Sequence, residues 1–372
     1  MKIWTAIRTV LLLCGIWGMA GAAMATSCIF NDGSRPSSGY MPLQVANITV
    51  GRDVPVGTVV YRQQYRSAKP INVLCESGPF TVKINYFYTS APRPLSSWST
   101  GPYAGKVYLT DVAGIGVVYQ NNQGVAPVTT GPFPFCTTTP NCTVYFDNVS
   151  NFELLLIKIG DVSPGTIQGS NLPTVENSMN IGNTSVRGFW MSVSGTINIV
   201  AQTCTTPDQT VAMGSQRVSD FKGVNTSTPW KNFVVSLRNC PAFWGSFVNA
   251  GPSWIADSGD NPSATTRAGT KVSNSVAVRI DPVRPAVDLT NGILSIDPAG
   301  AGKLAAATGV GIQIGSRAGE PVQLSSERAT GLGLLPTSAS YDIPFSARYI
   351  QTAAKVTPGP ANASATFTII YN

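Results

Sequence analysis

Seven cysteines and no histidine bound the chemistry open to this chain of 372 residues. Without imidazole there is no Ser-His-Asp or Cys-His activation of a nucleophile. There is no His-ligated zinc or haem and no charge switch near neutral pH. The 18 acidic residues form no motif, and no nucleophile–base pair is readable, so an enzyme is not expected. No C-x-x-C spacing occurs, which removes the usual redox pair and zinc knuckle; no metal or other cofactor is expected. What remains is a basic and aromatic window from Arg52 to Lys106, with seven basic residues against two acidic ones. Flat rings stack on sugar faces, and guanidinium forks bind carboxylate or sulfate. Arg62, Tyr65, Arg66, Arg93, Trp98, Tyr103 and Asp111 are the candidate contacts for an acidic glycan or an extracellular-matrix protein. Nucleic acid fits less well, because no nucleic-acid motif is present.

Each candidate also has a plainer reading. Tyr86 and Tyr88 alternate along a strand and read as core. Arg62 and Arg66, flanking Tyr65, also suit a solvated strand edge, and Asp111 also suits a turn. Trp98 stands in the loop APRPLSSWSTGPY, and loops at sandwich ends carry binding, so it is the strongest single contact.

The first 25 residues read as a secretory signal. Lys2 and Arg8 precede an apolar stretch with Leu11, Leu12 and Leu13, and Ala23-Met24-Ala25 is a small-x-small cleavage site. Cys14 leaves with it. Six cysteines in an oxidising compartment read as disulfides, with 15 possible connectivities. Pairing in chain order is the simplest: Cys28–Cys75, Cys136–Cys142 and Cys204–Cys240. The short Cys136–Cys142 loop suits a bridge, but spacing alone leaves the pairing of the first four open.

The elements that must position these residues are strands. Val82, Ile84, Tyr86 and Tyr88 alternate with Thr81, Lys83, Asn85 and Phe87. Similar period-2 runs cover 233–238, 310–314 and 365–371, separated by Gly, Pro, Asn and Ser. Long helical patterning is absent. The chain is predicted to be all-β, with two antiparallel sandwiches. A boundary near 188–195 divides residues 26–190 from 191–372, with 195–204 opening the second domain.

The second domain resembles the pilin domain of chaperone–usher fimbriae. The resemblance rests on GTINIVAQTCTTP from 195, VAMGSQRVSDF from 211, WKNFVVSLRNC from 230, GVGIQI at 309–314 and FSARYIQT at 345–352. It is most specific at the end, ANASATFTIIYN, with a penultimate Tyr371 and Gly359 fourteenth from the C-terminus. The resemblance implies an immunoglobulin-like sandwich lacking its last strand, with a disulfide between Cys204 and Cys240. It implies that a periplasmic chaperone, and then an adjacent pilin subunit, supplies that strand, after delivery through an outer-membrane usher. Gly359, Ala365, Phe367, Ile369, Tyr371 and Asn372 would face those partners, Asn372 through its terminal carboxylate. VPVGTVVYR at 54–62, VYLTDVAGIGVVYQ at 107–120 and LLLIKIGDVSPGTI at 154–167 resemble the receptor-binding domain of type 3 fimbrial adhesins. A folded domain stands where an ordinary pilin carries its donated extension. The resemblance therefore implies a subunit at the fimbrial tip on the cell surface. Its function would be adhesion to a host glycan or matrix receptor. The alternative is a structural tip initiator that binds no receptor.

Overall fold

The computed structural model describes residues 26–31, 33–76, 78–138, 141–146, 150–257 and 265–372. The segment read as a secretion signal lies outside them. The fold is all-β; among the described residues the helical segments are two single-turn 3₁₀ segments, Gly169–Asn171 and Val218–Asp220. The alternating runs are strands. In Phe80–Ser90 the side chains of Phe80, Val82 and Tyr86 are buried while Thr81 and Lys83 are exposed. All three disulfides join in chain order: Cys28–Cys75, Cys136–Cys142 and Cys204–Cys240.

Two principal cores form. The first lies between two sheets. One is ordered Val128–Phe135, Phe80–Ser90, Thr174–Ile181, Thr184–Ser194, Ser37–Pro42. The other runs Ser253–Ala256, Val59–Ser67, Asn151–Lys158, Ile115–Asn121, Tyr108–Leu109. Tyr61, Tyr65, Tyr119, Phe152 and Phe189 fill the space between them. A satellite core beneath the sheet of Ser27–Phe30, Asn72–Glu76 and Asn141–Tyr145 holds the first two disulfides. The second principal core lies between two smaller sheets. One contains Lys231–Cys240, Ala339–Gln351, Val310–Ser316 and Ile293–Leu294; the other contains Arg328–Ala329, Val276–Pro282 and Ala365–Tyr371.

Two features depart from the sequence reading. The strand expected to open the second domain, Thr196–Val200, pairs with Gly165–Gln168 and, in parallel, with Asn47–Thr49. Its Ile197 and Ile199 are buried in the first core, whereas the second core begins at Cys204. The sandwiches are also not purely antiparallel. Ser37–Pro42 runs parallel to Thr184–Ser194, and Ser253–Ala256 runs parallel to Val59–Ser67. Parallel pairing requires long connections, and here they are supplied by chain segments far apart in sequence. An arm from the second half of the chain thus extends the sheet of Val59–Ser67. It places Ala256 in the first core and Phe247 edge-on to Tyr61 at 6.1 Å.

Candidate functional site

Among the described residues, the last strand, Ala365–Tyr371, pairs with another strand along one side only. It runs antiparallel to Val276–Pro282, from Val276 opposite Tyr371 to Pro282 opposite Ala365. Ser275 and Asn372 exchange both backbone bonds, at 2.9 and 3.0 Å. Bonded pairs recur every second residue in such a ladder. Residues 370, 368 and 366 therefore point their N–H and C=O groups at the neighbour. Residues 365, 367, 369 and 371 point theirs away, into a cleft of about 400 Å³. Thr203, Cys204, Thr206 and Asp208 form its far wall. From 201 to 217 that wall holds no strand, only an isolated bridge between Thr205 and Arg238. A second, separate cleft lies between Gly359 and Phe221.

The apolar side chains of this strand turn into the second core. Ile369 and Tyr371 are buried in the second core, with Ala365 and Phe367 partly buried against it. The Tyr371 ring stacks on Phe243 at 6.5 Å, and its hydroxyl accepts a bond from the Cys204 N–H at 3.2 Å. Gly359 has a steric reason to be glycine: a Cβ there would stand 2.3 Å from the Ala305 carbonyl oxygen. Asn372 is exposed at the strand's end. The structure thus brings Ala365, Phe367, Ile369 and Tyr371 to one cleft, with Gly359 on a second cleft and Asn372 at the strand's exposed end.

The candidate receptor residues do not converge in the same way. Tyr65 is fully buried, packed on Phe152 at 5.4 Å, and burial pushes its hydroxyl pKa up to about 12. It is a core residue, which corrects its assignment as a surface contact: residues 61, 63 and 65 face inward, so 62 and 66 face outward. Arg62 pairs with Glu153 at 3.2 Å, and Gln120 donates to the same carboxylate at 2.8 Å. Arg93 pairs with Asp111. That carboxylate also accepts from the Gln168 N–H and the Asn171 amide, both at 2.9 Å. Burial would raise the Asp111 pKa, but these three donors outweigh it and hold the group below the usual carboxylate range. Trp98 and Tyr103 are half-buried on a small apolar cluster with Val107, Val118, Leu155 and Ile157. Arg66 is exposed at the far end of its strand.

The charge excess of the 52–106 window is thus largely compensated within the chain. Glu153, Asp111 and Asp257 reach it from outside, and Asp53 pairs with Arg52 from within. Trp98, Tyr103 and the Arg62–Glu153–Gln120 group remain on the outer side of the first domain's sheet. Sequence reasoning missed Glu153 and Gln120; their positions opposite one another on neighbouring strands carry that signal only once the register is known.

The molecule is an all-β sandwich protein whose second core ends in a strand with an open edge. Residues 191–372 match the family described as "Fimbrial protein". The type-1 fimbrial protein A chain of Escherichia coli is 29% identical over 164 residues, covering 44% of this chain and 71% of its own length. Among solved structures, the CupB6 tip adhesin of Pseudomonas aeruginosa is similar at 17% identity. That match has a TM-score of 0.34 and covers 92% of this chain and 93% of the other. The receptor-binding domain of the adhesin MrkD1P of Klebsiella pneumoniae is similar at 20% identity. Its TM-score is 0.29, with coverage of 49% of this chain and 99% of that domain.

Proposed function

We propose that this chain is a fimbrial tip adhesin, with residues 26–190 for the receptor and 191–372 for anchorage to the fibre. The observation that carries the anchorage is the outward-facing backbone of Ala365–Tyr371 beside a cleft whose far wall, Thr203 to Asp208, supplies no pairing strand. An exposed apolar strand edge is an aggregation hazard, so a protein that keeps one needs a partner strand to cover it. A strand from a periplasmic chaperone, later exchanged for one from an adjacent pilin, fits that need. Export to the cell surface through an outer-membrane usher belongs to the same reading.

The receptor surface is the outer face bearing Trp98, Tyr103 and Arg62, suited to a host glycan or matrix protein. One observation favours the second reading, a structural tip initiator: the basic side chains are mostly paired with carboxylates of the same chain. The test is binding of the full chain to a glycan and matrix-protein array, beside Trp98→Ala and Arg62→Ala. Selective binding lost in both variants is the expected result. No binding by a demonstrably folded chain would favour the initiator.

A further inference from the structure

The open edge is not open along its whole length. The loop 51–53 of the first half of the chain meets the end of the last strand. Asp53 donates its backbone N–H to the Tyr371 carbonyl at 3.1 Å, and its carboxylate accepts the Tyr371 N–H at 2.9 Å. One residue therefore satisfies both outward groups of Tyr371, as an opposing strand residue would. Arg52 donates to the Ile369 carbonyl at 2.7 Å, and its guanidinium lies over the Tyr371 ring, 5.6 Å from the centroid. Among the described residues, nothing is bonded to the outward N–H and C=O of Phe367.

This contact is built into the first core. Lys158, only 3% exposed, donates its ammonium to the carbonyls of Gly51 at 3.2 Å and Arg52 at 2.5 Å. A buried ammonium needs such partners, so the loop and the lysine hold each other in place. Gly51 lets the loop approach: a Cβ there would stand 2.3 Å from the Tyr371 oxygen.

We propose that Arg52 and Asp53 are positioning residues that close one end of the cleft from within the chain. They set the point at which an incoming strand must stop. A partner strand then forms its ladder with Ala365 and Phe367, and ends where Asp53 begins. This rests on the reading of the cleft as a strand acceptor. It adds that docking of the two halves of the chain defines the length and register of the strand accepted.

The test is amide hydrogen exchange on the full chain, alone and with an eleven-residue peptide of alternating valine and threonine. In the free chain the Phe367 amide is expected to exchange at least tenfold faster than that of Tyr371. The peptide protects Phe367 and leaves Tyr371 unchanged. In Asp53→Ala, Tyr371 exchanges as fast as Phe367 and gains protection from the peptide. Asp53→Asn, which keeps an oxygen acceptor, restores most of the protection. Amides of Asn151–Lys158 report that the first core stays folded. If Tyr371 exchanges freely in the unaltered chain, or Asp53→Ala leaves its rate within twofold, the closure is wrong. If Tyr371 is protected as expected but the peptide protects Phe367 in neither protein, the acceptor reading fails, and the stop with it.

Discussion

Two strand edges in this molecule receive opposite treatment. The edge of Val59–Ser67 is covered by Ser253–Ala256 from the same chain, residue for residue from Gln64 to Ser67. The edge of Ala365–Tyr371 is left bare except at its last residues. Both strands carry inward aromatics, and both would be hazardous if exposed. The difference is one of provision: the sheet of Val59–Ser67 is finished by the chain that owns it, whereas no strand among the described residues pairs with the outer edge of Ala365–Tyr371. Covering an edge in cis yields a self-sufficient sheet.

The sharpest way to break this contrast is to remove the bare strand. Deleting residues 367–372 takes Ile369 and Tyr371 out of the second core, and soluble, protease-resistant second core is expected to vanish. Equal yield and resistance would mean that the strand is not part of the core's minimum. Next comes a fragment ending at residue 190. It lacks Thr196–Val200 and Ser253–Ala256, both paired into the first body, and a native fold is not expected. A cooperative unfolding transition matching that of the full chain would make the arm dispensable. Phe247→Ala trims one half-buried arm anchor and should cost on the order of 2 kcal/mol in urea unfolding of the first core.

The smallest effect is one of pH. Burial would raise the Asp53 carboxyl, but the Arg52 guanidinium and the Tyr371 N–H, with Lys158 nearby, outweigh it and lower the pKa. A lowered folded-state pKa means a contribution present above the unfolded value, about 3.9, and lost as pH falls through the folded one. Tyr371 amide protection should therefore persist to the usual carboxylate range and fall only below it. The covered edge at 64–67 should show no such step, because backbone groups alone form its ladder. A step at both edges would assign the acid response to the whole molecule rather than to the closure.

Much of this was legible from residue pattern. Alternation at 80–90, 231–240 and 365–371 located strands and their inward faces, and chain-order cysteine pairing held for all three bridges. Pattern failed where distant chain segments decide. Tyr65 lay between two arginines and looked accessible, yet period 2 puts it on the opposite face from both. The window's excess charge looked available because its partners Glu153, Asp111 and Asp257 are brought in by pairing, not by proximity in sequence. The arm at 246–256 reads as loop and short apolar runs. Only the vacant side of a strand formed far earlier gives it a structure.

That arm also imposes an order in time. Tyr65 donates its hydroxyl to the Ala256 carbonyl across 191 positions of sequence. A chain that emerges from its N-terminus must therefore expose the Val59–Ser67 edge long before its cover exists. The entropic cost of closing a loop rises with the logarithm of its length, and such late closures slow folding. The first core cannot reach its final state until the second half of the chain has been delivered. Completion of the first core thus waits on synthesis of the second half of the chain.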